Sequence, residues 1–271
     1  MPKTEQTSGE LATGLLGQIL EAKRREVEER LAKADLAGLE LIARAHFRRP
    51  LASAVVRPGR AIIAEMKQRS PSKGELVKKY DPEALARAYH QNGAAAISVL
   101  TDGPFFGGAL EHIAIVRKVA PLPVLRKDFL IDEFQLLESA AAGADAVLLI
   151  VAAFSRKDND ARLRSMVERT HRLGMDALVE VHNDEELDRA IAVRAKLVGV
   201  NNRDLRNFNV DLETSVKLAE KMKKVISVSE SGLRSAEDLA RLEGLGYRAF
   251  LIGEQLVTAE DPGKALRELL R

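Results

Sequence analysis

Short apolar runs in this chain keep ending in groups that hold or move a proton. AIIAEMK (61–67) closes on Glu65 and Lys67, LPVLRK (122–127) on Lys127, and ALVEV (177–181) carries Glu180 near its end. LVGVNNR (197–203) delivers Asn201 and Arg203, VISVSESG (225–232) delivers Glu230, Ser231 and Gly232, and RAFLIG (248–253) ends in Gly253. Carboxylates accept protons, ammonium groups donate them or hold anions, and amides orient both. Such a set suits general acid–base chemistry on an anionic substrate. Each residue also has a plain structural reading. A lone strand-end charge is commonly a solvated rim charge, and a Glu–Lys pair two residues apart can be a simple ion pair. Asn201 can satisfy loop backbone, and Gly232 and Gly253 can serve turns. Their recurrence at the same end of successive runs selects the chemical reading.

Strand geometry sharpens it, because side chains two residues apart share a face. Glu65 and Lys67 then point one way and Met66 the other. The same alternation puts Asn201 with Arg203 and separates Lys127 from Arg126 and Asp128.

The elements that must position these groups follow from the rhythm of the chain. Eight apolar runs recur: AIIAEM (61–66), AAISVL (95–100), LPVLRK (122–127), AVLLIV (146–151), ALVEV (177–181), LVGVN (197–201), VISVS (225–229) and RAFLIG (248–253). Stretches of helical spacing lie between them, such as Pro82–Asn92, Phe134–Ala142, Asp184–Val193 and Ala236–Leu245. Val/Ile/Leu-rich strands alternating with helices imply a parallel sheet buried on both faces. Eight such units predict an α/β protein, a (β/α)8 TIM barrel whose chemistry sits at the C-terminal strand ends. A doubly wound sheet fits less well, since no GxGxxG follows the first strand. Gly93, Gly143 and Gly246 each stand between a helix and a strand, as helix C-caps do. Residues 1–10 are expected to be disordered, and residues 11–60 to form a helical extension across the catalytic end. The whole chain, 1–271, reads as one barrel domain. Pro71 to Gly74 reads as a mobile loop after the first strand.

Composition limits the function. Of 271 residues, 46% are hydrophobic and 30% charged, and the formal net charge is +2. That balance gives no reason to expect nucleic-acid or membrane partners. There is no cysteine, which excludes disulfides, thiolate metal sites and cysteine nucleophiles. The polar start MPKTEQTSGE lacks a signal-peptide core, and a cytoplasmic, monomeric protein is expected. No HExxH, EF-hand or Walker pattern occurs, so no metal or nucleotide site is expected. His46, His90, His112 and His171 read as non-catalytic, and His182 as a rim residue. Phosphate has a natural place in the loops after strands seven and eight. Those loops carry Ser231-Gly232 and Gly253-Glu254, with Arg203, Lys67 and Ser70 as further donors. Glu254 would repel an anion if its side chain pointed inward.

Together AEMKQRSPSKG (64–74), SVLTDGPFFGG (98–108), VLRKDFLID (124–132), ADAVLLIV (144–151), LVEVHN (178–183), GVNNRDL (199–205), SVSESGL (227–233) and FLIGEQLV (250–257) closely resemble the indole-3-glycerol phosphate synthase family. The resemblance runs from about residue 15 to the C-terminus. It implies a cofactor-free carboxy-lyase of tryptophan biosynthesis. The implied reaction is ring closure, decarboxylation and dehydration of 1-(2-carboxyphenylamino)-1-deoxyribulose 5-phosphate. The resemblance points to Glu65, Lys67, Lys127, Glu180, Asn201, Glu230 and Ser231 as catalytic. It places Ser70, Arg203, Gly232 and Gly253 around the phosphate, and Phe106, Phe129, Leu148 and Leu205 around the anthranilate ring. The chemistry of such a reaction suits Lys127 as the acid at the ribulose carbonyl, Lys67 as holder of the substrate carboxylate or phosphate or as acid in the dehydration, and Glu180 and Glu65 as the carboxylates of the later proton transfers. Glu230 and Asn201 are implied as positioning groups. Glu254 departs from the small residue relatives carry there, which removes a side-chain donor to phosphate. The alternatives are an aldolase with a Schiff base on Lys127, a sugar-phosphate isomerase, or a non-catalytic barrel that binds a phosphorylated ligand.

Overall fold

A computed structural model describes residues 14–154, 160–204 and 209–271. Leu205 and residues 1–13 lie outside the described residues. Eight parallel strands close into a barrel: β1 (Ala61–Met66), β2 (Ala96–Leu100), β3 (Val124–Lys127), β4 (Ala146–Ile150), β5 (Asp176–Val181), β6 (Leu197–Asn201), β7 (Ile226–Glu230) and β8 (Ala249–Ile252). Each pairs with its neighbours in sequence, and β1 closes the ring against both β2 and β8.

Helices α1 (Leu15–Leu31), α2 (Leu36–Ala45) and α3 (Leu51–Val55) precede the barrel. Within it come α4 (Pro82–Gln91), α5 (Gly103–Phe106), α6 (Glu111–Val119), α7 (Glu133–Ala142) and α8 (Ala161–Arg172). The ring ends with α9 (Asp184–Ala192), α10 (Glu213–Met222), α11 (Ala236–Gly244), α12 (Glu254–Val257) and α13 (Pro262–Leu269). Local chemistry fixes their ends. Asp132 and Gln135 form a capping box on α7, and Ser235 and Asp238 form one on α11, each satisfying N–H groups that the first turn leaves open. Gly143 ends α7 at φ 93°, a conformation that costs glycine nothing.

The strands alternate as a two-residue period requires. Ile63, Leu125, Leu148, Leu178, Leu197, Val228 and Leu251 fill the barrel interior. Ile62, Ala64, Met66, Val99, Val147, Val179 and Phe250 pack outward against the helices. Burial on both faces is why these runs are nearly all apolar. Met66 points outward, as its spacing predicts, so Glu65 and Lys67 continue the inward row that begins at Ile63.

The N-terminal extension spans the whole barrel. Leu16, Ile19 and Leu20 of α1 join the interior cluster at the C-terminal end of the strands. Next, α2 runs down the outside against α7. Finally α3 closes the opposite end, where the Ala52 N–H donates to Asp176 and the Arg49 N–H to Asp145 at the starts of β5 and β4. The sequence places these helices across the catalytic end; α1 lies there, and α3 extends the cover to the other end. The segment after β1 forms a short antiparallel hairpin, Arg69–Ser70 against Gly74–Glu75. Among the described residues no helix is long and apolar enough to cross a membrane.

Candidate active site

A cavity of about 460 Å³ opens at the C-terminal ends of the strands, beneath α1. Every described residue singled out from the sequence lines it: Glu65, Lys67, Ser70, Phe106, Lys127, Phe129, Leu148, Glu180, Asn201, Arg203, Glu230, Ser231, Gly232 and Gly253. Strand register accounts for their convergence. Glu180 pairs with Gly199 and Asn201 with Glu230, so residues distant in sequence meet at one level of the barrel.

Lys127 is the hub. Its Nζ lies 3.3 Å from Glu180 Oε2 and 3.4 Å from Glu230 Oε2. Asn201 Nδ2 donates to Glu180 Oε1 at 3.2 Å, and Lys67 Nζ donates to Glu65 Oε1 at 2.7 Å. Burial disfavours every one of these charges, so the outcome depends on neighbours. For Lys127, Glu180, Glu230 and Glu65 outweigh burial and raise its pKa above the ordinary lysine range. For Glu180, Lys127 and then His182 and Asn201 outweigh burial and hold the carboxyl well below the usual carboxylate range. Lys67 and Lys127 do the same for Glu65. Glu230 goes the other way: burial, helped by repulsion from Glu180 and Glu65 and opposed by Lys127, pushes it up to about 7. Its Oε1 is buried without a hydrogen-bond partner among the described residues. Of the three carboxyls around Lys127, Glu230 is therefore the one whose environment most favours the protonated form.

The rest of the cavity divides into an apolar and an anion-seeking wall. Phe106 and Phe129 lie with ring centroids 6.0 Å apart, close to Leu148 and to Leu16 and Ile19 of α1. Opposite them, Ser231 takes a positive φ of 65°, uncommon for a residue with a Cβ, and Gly232 follows at φ 82°. Such strain concentrates at functional sites. Ser70 Oγ is buried, unpartnered among the described residues, and belongs to the cavity lining. Glu254 turns inward and forms ion pairs with Lys73 and, at 3.8 Å, with Arg203. Burial raises its pKa, but Lys73, then Lys67 and Arg203, outweigh that and keep the carboxylate ionised.

Sequence spacing missed the support behind this wall. Lys23 of α1 is buried, with Asp128 at 2.9 Å, Asp102 at 3.0 Å and Glu26 at 2.8 Å. Asp128 also accepts from Thr101 and from the fully buried Arg126. An isolated buried ammonium costs several kcal/mol of desolvation, so it persists only where acids surround it. Asp128 and Asp102 overcome burial here and keep Lys23 charged. Lys23 thus pins α1 to the residue after Lys127 and to the N-cap of α5, which carries Phe106. The available signal was a lysine inside the apolar stripe of α1. Asn202 likewise faces away from the cavity. Its amide donates to the backbone oxygens of Glu230 and Ser231, and its Oδ1 accepts from Ser215. His182 needs a correction: it is not a rim residue but is largely buried, between Glu180 and Glu186. A residue just past a strand end looks solvent-facing in sequence until the first turn of α9 is folded over it.

Comparison with known proteins gives this geometry its family. A profile described as "Indole-3-glycerol phosphate synthase" matches residues 16–269. The chain belongs to the indole-3-glycerol phosphate synthase family. It is therefore a carboxy-lyase of tryptophan biosynthesis. "Indole-3-glycerol phosphate synthase 2" of Streptomyces coelicolor is 46% identical over 257 residues, covering 94% of this chain and 98% of that relative. An indole-3-glycerol phosphate synthase of a Roseiflexus species is 47% identical over 268 residues, covering 94% and 97%. That of Carboxydothermus hydrogenoformans is 50% identical over 211 residues, covering 77% and 78%. Among solved structures, a 3-hexulose-6-phosphate synthase aligns with a TM-score of 0.60 at 20% identity, covering 77% of this chain and 97% of that one. The Streptococcus mutans protein KGPDC aligns at 0.57 and 14%, covering 78% and 95%. These two likenesses show the barrel fold alone.

Proposed function

We propose that this cavity converts 1-(2-carboxyphenylamino)-1-deoxyribulose 5-phosphate into indole-3-glycerol phosphate through Lys127, Lys67 and the three buried glutamates. The observation that carries the assignment of roles is Lys127 held between Glu180 and Glu230. As the ring carbon bonds to the ribulose carbonyl carbon, the carbonyl oxygen becomes an alkoxide. Lys127, kept charged by its carboxylates, is placed to protonate it. Loss of carbon dioxide then restores the benzene ring, and loss of the new hydroxyl with a neighbouring proton completes the indole. Glu180 and Glu65 are held ionised and suit proton removal. Glu230, whose carboxyl burial pushes upward, suits proton delivery alongside Lys67. This assignment gives Glu230 more than the positioning role that the resemblance implied.

The apolar wall of Phe106, Phe129 and Leu148 suits the anthranilate ring. The turn at Ser231-Gly232, with Gly253, Ser70 and Arg203, suits the phosphate. A Schiff base on Lys127 fits poorly, because that chemistry needs a free amine and the surrounding acids favour the ammonium. The protein acts as a cytoplasmic monomer on a small molecule, without metal, cofactor or nucleic acid.

Purified protein should turn the anilino-ribulose phosphate into a fluorescent indole product at the same rate with and without EDTA. Absence of turnover, or a strict metal requirement, would sink the proposal. Glu254 offers a finer test. Its carboxylate repels the phosphate and competes for Lys73 and Arg203. Glu254→Ser should lower KM roughly three- to tenfold with kcat within about twofold, and the gain should shrink as salt is raised. An unchanged KM at low salt would place Glu254 away from the phosphate.

A further inference from the structure

His182 does not line the cavity, yet it touches the carboxylate that the proposed mechanism uses as a base. It follows Glu180 by two residues, so both side chains leave β5 on the same face. Its Nε2 lies 3.3 Å from Glu180 Oε1, an ion-pair contact without hydrogen-bond alignment, and its Nδ1 is hydrogen-bonded to Glu186 Oε2 at 3.0 Å. The same Glu186 oxygen accepts the His182 backbone N–H at 2.9 Å. Glu186 is itself fixed by the cap of α9. Its N–H donates to Asn183 Oδ1 at 2.9 Å, and Asn183 Nδ2 donates to Glu186 Oε1 at 3.2 Å. A chain of contacts therefore runs from the first turn of α9 through Glu186 and His182 to Glu180, its last link an ion pair.

Glu180 needs such an anchor. Its side chain has free rotation about several bonds, and its other partners, Lys127 and Asn201, both face the cavity. Both therefore stand where substrate and transferred protons would compete for them. His182 holds from outside the cavity, where nothing is exchanged.

We propose that His182 is a positioning residue for Glu180: clamped by Glu186, it keeps one carboxylate oxygen on Lys127 and the other on Asn201 through the reaction. This rests on the reading of Glu180 as an acting carboxylate. Among the described residues, the ionisable groups facing the imidazole are Glu180 from β5 and Glu186 from α9. The turn Val151–Ala153, which packs on both elements, brings no charge. Beyond Glu180 stand Lys127 from β3 and Glu230 from β7. Burial works against a charged imidazole, but the two flanking carboxylates outweigh it and push its pKa up to about 10. His182 thus stays cationic across the neutral range and helps keep Glu180 ionised.

The test compares His182→Leu, His182→Gln and Glu180→Gln by kcat and KM from about pH 3.5 to 8.5. His182→Leu should lower kcat roughly 10- to 100-fold with KM within about threefold. Losing the cation raises the Glu180 pKa from its depressed value, so an acidic limb that lies at or below the foot of the parent profile should move up into it. His182→Gln keeps an N–H donor of similar reach. It should recover much of the rate while its acidic limb stays displaced. A folded His182→Leu protein with kcat within about twofold and an unmoved limb, beside an inactive Glu180→Gln, would overturn the positioning role alone. Should the leucine variant fail to fold, an unmoved limb in His182→Gln overturns it equally. If Glu180→Gln stays within about tenfold of the parent, the reading of Glu180 itself fails and this role falls with it.

Discussion

Replacing Lys127 with alanine should lower kcat roughly 10²- to 10⁴-fold while KM stays within about threefold. The apolar wall and the phosphate-seeking turn are built from other residues, so ground-state affinity survives. What disappears is the proton for the developing alkoxide. Lys67 does not substitute at the carbonyl, because Glu65 holds its ammonium at 2.7 Å for the later proton transfer rather than between Glu180 and Glu230. The variant also removes the cation that Glu180 and Glu230 share, and breaking a buried ion pair can cost about 3–5 kcal/mol. Part of that cost is relieved by proton uptake. Without Lys127 the pKa of Glu180 rises from its depressed value, and that of Glu230 rises further above about 7. Hence the variant should fold, lose some stability at neutral pH, and recover part of it as pH falls and the stranded carboxylates protonate. Single-turnover kinetics beside thermal melts at two pH values would check this. A kcat within about tenfold of the parent, a change of roughly 1.4 kcal/mol, would remove Lys127 from the acid role.

The barrel was legible because its signals are local. Strands β1 and β6 run 61–66 and 197–201 in both the sequence reading and the structure, and the other six agree within a residue or two. Two-residue alternation placed Glu65 and Lys67 inward and Met66 outward. The same alternation put Asn201 with Arg203, and both line the cavity. Cross-strand matters were not legible. Nothing in the spacing says that Lys23 meets Asp128, because that contact depends on how α1 lands on the mouth. Nor does residue type say which glutamate holds a proton. Glu180 and Glu230 both end strands beside Lys127, yet Asn201 and His182 support only Glu180. That difference in partners, visible in three dimensions alone, sends their pKa values in opposite directions. Glu254 was half legible: its repulsion of an anion was foreseeable from type, its inward turn onto Lys73 and Arg203 was not.

Gly199→Ala should lower kcat by about 10²-fold through a residue that contributes no chemistry of its own. Gly199 pairs with Glu180 on β5 and with Val228 on β7, in the middle of the catalytic level. A Cβ there would stand 2.1 Å from Glu230 Oε1 and 3.2 Å from its carboxyl carbon, with Leu178 Cδ1 at 3.3 Å. No pair of atoms tolerates 2.1 Å, so something must move. The nearest atom is the end of a flexible side chain rather than backbone, so β6 keeps its place and the Glu230 carboxyl swings away. That swing draws Oε2 from its 3.4 Å contact with Lys127 and leaves the ammonium held by Glu180 alone among its two close acids. A displacement of about an ångström at a reacting group is enough for a loss of this size. Melting should change little, whereas a fall of more than about 10 °C would mean that the backbone had absorbed the collision. A double-mutant cycle isolates the cause. In a Glu230→Ala background only the milder contact with the end of the Leu178 side chain remains, so adding Gly199→Ala should cost less than about threefold, and two full additive losses would show that the glycine acts by another route.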